Sequence, residues 1–116
     1  MLDIGSGTGL LSMFAARAGA KHITTVEGSD QMGDCAARCI AANGLGEAIH
    51  PLIMMSTDIV IGEHMQQKAD LCISEIVDCG LLGEWCLPTM QHARENLLTE
   101  DAVCTSVSSL SSNLLC

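Results

Sequence analysis

The sequence has 116 residues, enough for one domain with a real core. Apolar residues make up 48% of it and the formal net charge is −9, which excludes a disordered chain and argues against a phosphate-binding surface, since Arg17, Lys21, Arg38, Lys68 and Arg94 are scattered. No apolar run approaches the roughly 20 residues that span a bilayer, so no membrane role is expected. Asp3 and the early glycines do not suit a secretory leader, and the expected setting is cytosol or nucleus.

An acidic surface favours a basic partner such as an arginine- or lysine-rich peptide. The seven cysteines are odd in number and include no C-x-x-C pair, which points to reduced, mostly buried thiols and no metal.

In chain order, Leu2-Asp3-Ile4 reads as the end of a buried strand that runs into Gly5-Ser6-Gly7-Thr8-Gly9. A helix follows through Leu10, Leu11, Phe14, Ala15 and Ala18, with Gly19 suited to its C-terminal cap. His22 to Val26 is a β-rich run ending at Glu27. Asp30 can cap a helix over Gln31 to Ala42, which stops at Asn43-Gly44. Strands are expected near Ile49 to Met55 and at Leu71-Cys72-Ile73, with a short extended piece at Ile59-Val60-Ile61. A helix from about Leu87 to Leu98 and a strand over Ala102 to Val107 complete the pattern. Strands alternating with helices imply an α/β fold with a parallel sheet and right-handed crossovers. Residues 1–105 form its core, and 106–116 are a serine-rich, weakly patterned tail.

A glycine turn between a first strand and a helix lets backbone amides approach a ligand closely. The spacing is G-x-G-x-G, with Leu10 where the dinucleotide fingerprint has its third glycine, and no Gly-Lys-Ser/Thr follows as in a phosphate-binding loop. L-D-I-G-S-G-T-G-L-L-S instead resembles the loop of S-adenosylmethionine-dependent methyltransferases. Glu27 falls about 20 residues on, where a carboxylate meets both ribose hydroxyls of a cofactor. Asp3 is expected to accept loop amides or to meet the cofactor's ammonium. The competing reading is a glycine turn of some other α/β domain, with Glu27 merely exposed.

The second informative segment is Ser74-Glu75-Ile76-Val77-Asp78-Cys79-Gly80-Leu81-Leu82-Gly83-Glu84. Two carboxylates bracketing a short loop can converge on one cation, and a planar guanidinium accepts forked, charge-assisted pairing. Alternatively they are two solvated side chains. With L-D-I-G-S-G-T-G-L-L-S-M-F-A, T-V-E, A-A-N-G and Q-H-A-R, this segment resembles the protein arginine N-methyltransferases over nearly the whole chain. V-D-C-G-L-L-G-E looks most like the branch that holds types 7 and 9.

That resemblance implies a Rossmann-like class I methyltransferase fold with a truncated sheet, and S-adenosyl-L-methionine as cofactor. It implies Asp3, Gly5, Gly7, Gly9, Glu27, Thr57 and Asp58 at the cofactor, Asp58 toward the adenine amine, and Glu75 and Glu84 as the clamp on an arginine guanidinium. The substrate it implies is an arginine-rich protein. The family's N-terminal helices, barrel domain and dimerisation arm have no counterpart here, so the chain is expected to be a fragment. Two other functions stay open: a non-catalytic remnant that only binds, and a methyltransferase for another substrate. His92 is expected to be a packing or surface residue and Met54-Met55 to be core, while Trp85 places a large indole beside Glu84.

Overall fold

The computed structural model describes residues 1–76 and 86–106. Five parallel strands form one sheet: β1 (Leu2–Ile4), β2 (Ile23–Glu27), β3 (Ile49–Ile53), β4 (Ala69–Ser74) and β5 (Leu98–Ser106), in the order β3-β2-β1-β4-β5. Helices α1 (Leu10–Arg17), α2 (Asp30–Ala42) and α3 (Cys86–His92) lie on its faces. The order reverses at β1: the chain winds outward through β2 and β3, then returns to place β4 on the other side. Open α/β sheets bind ligands outside the carboxyl ends of strands at such a switch point.

β1 is buried along its length because it has a partner on each side and helices over both faces. Its side chains alternate. Leu2 and Ile4 join Val26, Cys72, Ile76, Leu97 and Leu98 in one core, whereas Met1 joins Ile23, Ala36, Ile40 and Ile49 in the other. Asp3 pairs in register with Thr25, and both are 0–1% exposed.

Five local expectations are corrected. The cap of α2 is Ser29, whose hydroxyl accepts from the Met32 amide, so the helix begins at Asp30. Leu10 and Phe14 of α1 face outward, at 51% and 56% exposure, and Ser12 is the helix's fully buried residue. The Ser12 hydroxyl is the donor that the buried Asp3 carboxylate requires, and this outranks the apolar stripe in fixing the helix's rotation. Ile59-Val60-Ile61 forms no strand, only an isolated bridge from Ile61 to Met65. The last helix ends at His92 and a π turn spans Ala93–Leu97. β5 accordingly begins at Leu98 rather than Ala102. Among the described cysteines, Cys72 and Cys86 are buried and Cys35, Cys39 and Cys104 are half-buried.

Candidate cofactor and acceptor site

The carboxyl ends of β1, β2, β3 and β4 open onto a cleft of about 250 Å³. Its walls are Ile4 and Gly5 from β1, Val26 to Ser29 from β2, Met54 to Ser56 after β3, and Glu75 and Ile76 after β4, with Thr89 of α3 closing one side. Met54 packs partly on the core but also lines the cleft, and Met55, 52% exposed, belongs to the cleft and not to the core.

The loop after β1 is held by β2. The Gly5 and Ser6 amides donate to the Val26 carbonyl at 3.0 and 3.2 Å, and the Gly7 amide donates to Glu27 Oε2 at 2.8 Å. Glu27 Oε1 accepts from the Ser29 amide at 2.9 Å. Each carboxylate oxygen thus holds one amide and keeps a lone-pair direction for a further donor. The three loop glycines have φ of 72°, 55° and 78°, a region other residues enter at a cost. Gly9 lies away from the cleft and packs on α2: a Cβ there would meet Ile40 Cδ1 at 3.3 Å. Its smallness serves the close approach of α1 to α2.

Asp3 lies beneath this loop rather than in the cleft wall. Its Oδ2 accepts from Ser12 Oγ at 2.7 Å, while Oδ1 and the neighbouring Thr25 Oγ1 are buried without a well-formed hydrogen bond. Burial raises the Asp3 pKa above 3.8; Ser12, through hydroxyl and amide, and the Thr25 hydroxyl oppose the rise, and the Glu27 charge adds to it. Because the folded carboxyl holds its proton more tightly than the unfolded one, Asp3 favours folding most at acid pH, and its contribution falls as pH rises from 3.8 through the folded pKa. Asp3→Asn is therefore expected to flatten this part of the pH dependence and to melt no lower than wild type near neutrality, since an N–H then stands beside the Thr25 hydroxyl. Melting curves from pH 4 to 8 check this; a variant that melts several degrees lower at pH 7 contradicts it.

Glu75 leaves β4 exposed and lines the same cleft as Gly5 and Glu27. Thr57 and Asp58 sit on a short turn, Ser56–Asp58, with exposed side chains; only Ser56 of that turn lines the cleft. Glu84, Trp85 and the tail beyond Ser106 lie outside the described residues. His92 is half-buried at the end of α3 and does not line the cleft. A second cavity, about 510 Å³, lies at the amino ends of the strands and is lined by His22, His50 and His64. Among the described residues no three His, Cys, Asp or Glu side chains converge as a metal site. No helix among them is long and apolar enough to cross a membrane.

Ser12, Gly28, Ser29 and Met55 also shape the site, and sequence reasoning did not select them. Ser29 carried a usable signal, a capping residue two positions after Glu27. Ser12 carried none, because a serine among apolar helical residues does not reveal what it touches.

The donor set suits S-adenosylmethionine. Glu27 offers paired acceptors to a vicinal diol, the glycine loop offers bare backbone, and Asp3, Glu27 and Glu75 place negative charge around a site for a cation.

The fold and the loop define a class I S-adenosylmethionine-dependent methyltransferase. A family model described as ribosomal protein L11 methyltransferase (PrmA) matches residues 1–87, and by that match the chain belongs to the methyltransferases. Curated relatives include protein arginine N-methyltransferase 7 of Drosophila erecta, 46% identical over 104 residues that make up 90% of this chain and 15% of that protein. The Drosophila melanogaster protein of that name is 45% identical over the same shares. Among solved structures, the Trypanosoma brucei PRMT1 enzyme-prozyme heterotetrameric complex with AdoHcy superposes with a TM-score of 0.80 at 37% identity, covering 89% of this chain and 31% of that one. Arabidopsis thaliana protein arginine methyltransferase 10 gives 0.80 at 31% identity, covering 89% and 28%. In sequence and in fold the chain is similar to the protein arginine N-methyltransferases, type 7 among them. It spans about 15% of the length of the curated relatives it matches.

Proposed function

We propose that this sequence carries the cofactor core and the first acceptor carboxylate of an enzyme that methylates arginine side chains of proteins. The observation that carries the proposal is the placement of Glu75 on the same cleft as Glu27 and the bare Gly5 backbone. S-adenosylmethionine, when bound, supplies an electrophilic methyl on a sulfonium centre. Glu27 holds the ribose hydroxyls, and the loop glycines leave the backbone open to close approach.

Glu75 accepts N–H groups of the substrate guanidinium and, with Glu84, fixes its plane. Drawing positive charge toward the bound nitrogens leaves the remaining terminal nitrogen with more lone-pair character. Orientation along the line of attack then lowers the barrier through positioning and electrostatics. Two carboxylates match a planar fork of donors better than a single ammonium, which favours arginine over lysine. The net charge of −9 favours a basic, arginine-rich stretch of protein as substrate, met in the cytosol or nucleus.

Incubation of the natural protein with methyl-labelled S-adenosylmethionine and a glycine-arginine-rich peptide tests this. Label is expected in the arginine peptide and not in its lysine-substituted counterpart. Equal labelling of both, or of neither, refutes the proposed acceptor.

A further inference from the structure

β1 and β4 are paired in register, Ile4 opposite Ser74, so the loops leaving them emerge side by side at the same level. One is the glycine loop, starting at Gly5; the other starts with Glu75 and Ile76. They are not merely neighbours. The Ile76 Cγ2 methyl occupies the space that a Cβ on Gly5 would fill. Gly5 has φ of 72° and is fixed through its amide to the Val26 carbonyl. Ile76 is 8% exposed and continuous with the core of Leu2, Ile4, Val26 and Cys86. Glu75, one residue earlier, is exposed on the cleft rim.

A single buried side chain therefore anchors the acceptor carboxylate directly onto the cofactor loop. Any shift of Gly5 on filling of the cofactor site must move Ile76 or open a gap beside it, because packed interiors leave no slack at that distance. The backbone of Glu75 follows Ile76.

Resting on the arginine-methylation reading above, we propose that Ile76 is a positioning residue that couples cofactor occupancy to the orientation of Glu75, so that acceptor arginine binds well only when the cofactor loop is filled. The coupling runs through one branch of the isoleucine, the Cγ2 methyl on Gly5, and not through side-chain bulk.

This separates two substitutions. Ile76→Val keeps Cγ2 and loses only the distal methyl. Ile76→Leu keeps the volume but has no branch at Cβ, so it loses the methyl on Gly5. A residue that merely fills space ranks Leu above Val; the coupling role ranks Val above Leu.

The measurement is the affinity of the natural protein and both variants for a glycine-arginine-rich peptide, with and without saturating S-adenosylhomocysteine, together with KM and kcat for that peptide. In the wild type the cofactor product is expected to tighten peptide binding by about fivefold or more. Ile76→Val retains that factor. Ile76→Leu brings it close to one and raises the peptide KM by a similar factor, while its melting temperature stays near that of Ile76→Val. Wild-type coupling in Ile76→Leu, or equal loss in both variants, overturns the proposal. So does a wild type whose peptide affinity ignores S-adenosylhomocysteine although it methylates the peptide. A wild type that binds S-adenosylhomocysteine but transfers no methyl to arginine overturns the function itself, and the positioning role with it.

Discussion

Glu27→Ala is expected to weaken S-adenosylhomocysteine binding by on the order of 100-fold, the largest loss of affinity from any single change at the cofactor site. Its carboxylate holds the Gly7 amide at 2.8 Å and the Ser29 amide at 2.9 Å, one on each oxygen. Removal deletes the acceptors for the ribose hydroxyls and also frees the loop those acceptors hold in shape. Hydrogen bonds to a charged group contribute roughly 1.5–3 kcal/mol each, so losing the ribose pair alone accounts for about 3 kcal/mol at the lower end of that range. Glu27→Gln should rescue little: one end of the amide is a donor and would face an N–H of Gly7 or Ser29. Calorimetry with S-adenosylhomocysteine checks both variants. A loss under threefold for Glu27→Ala would remove Glu27 from the cofactor site.

The second large effect is on turnover. Glu75→Gln should lower kcat for an arginine peptide by about 100- to 1000-fold, the usual consequence of removing one group that stabilises developing charge. Cofactor affinity should change little, because Glu75 stands on the cleft rim and makes no part of the Glu27 hydrogen-bond set. Single-turnover methylation and calorimetry together separate the two readouts. Near wild-type turnover in Glu75→Gln would exclude the guanidinium-clamp role.

The parts of this site that sequence shows are those set by backbone need. A tight turn requires glycine, and a carboxylate at the end of the second strand of such a sheet falls beside that turn, so Gly5 and Glu27 could be assigned from spacing. Glu75 could be assigned because the fourth strand ends just before it, whichever residue begins that strand. The parts hidden in sequence depend on pairs far apart in the chain. Ser12 looks like a gap in an apolar helix until Asp3 is found beneath it with one oxygen to satisfy. Ile76 looks like any loop hydrophobe until it is seen against Gly5. Sequence starts β5 too late because Leu97 and Leu98 are apolar in either conformation, and only the π turn that ends at Leu97 frees Leu98 to pair with Ala69. The motif points to Thr57 and Asp58, whose exposed side chains share a turn with Ser56, the residue of that turn that lines the cleft.

The pairing of Asp3 with Ser12 also shows where stability and function pull apart. A fully buried carboxylate with one unsatisfied oxygen disfavours the folded state above acid pH. Its charge lies under the glycine loop at a cost in folding that Asp3→Asn would relieve.

We propose that the methyl donor bound over Gly5 and Glu27 passes its methyl group to an arginine nitrogen. The most direct test labels proteins of a hypomethylated cell extract with the natural protein and methyl-labelled S-adenosylmethionine, hydrolyses them to amino acids and identifies the labelled residue. Label migrating as methylarginine, and falling with Glu75→Gln, is the predicted result. Label in methyllysine or another residue, with none in methylarginine, would contradict it.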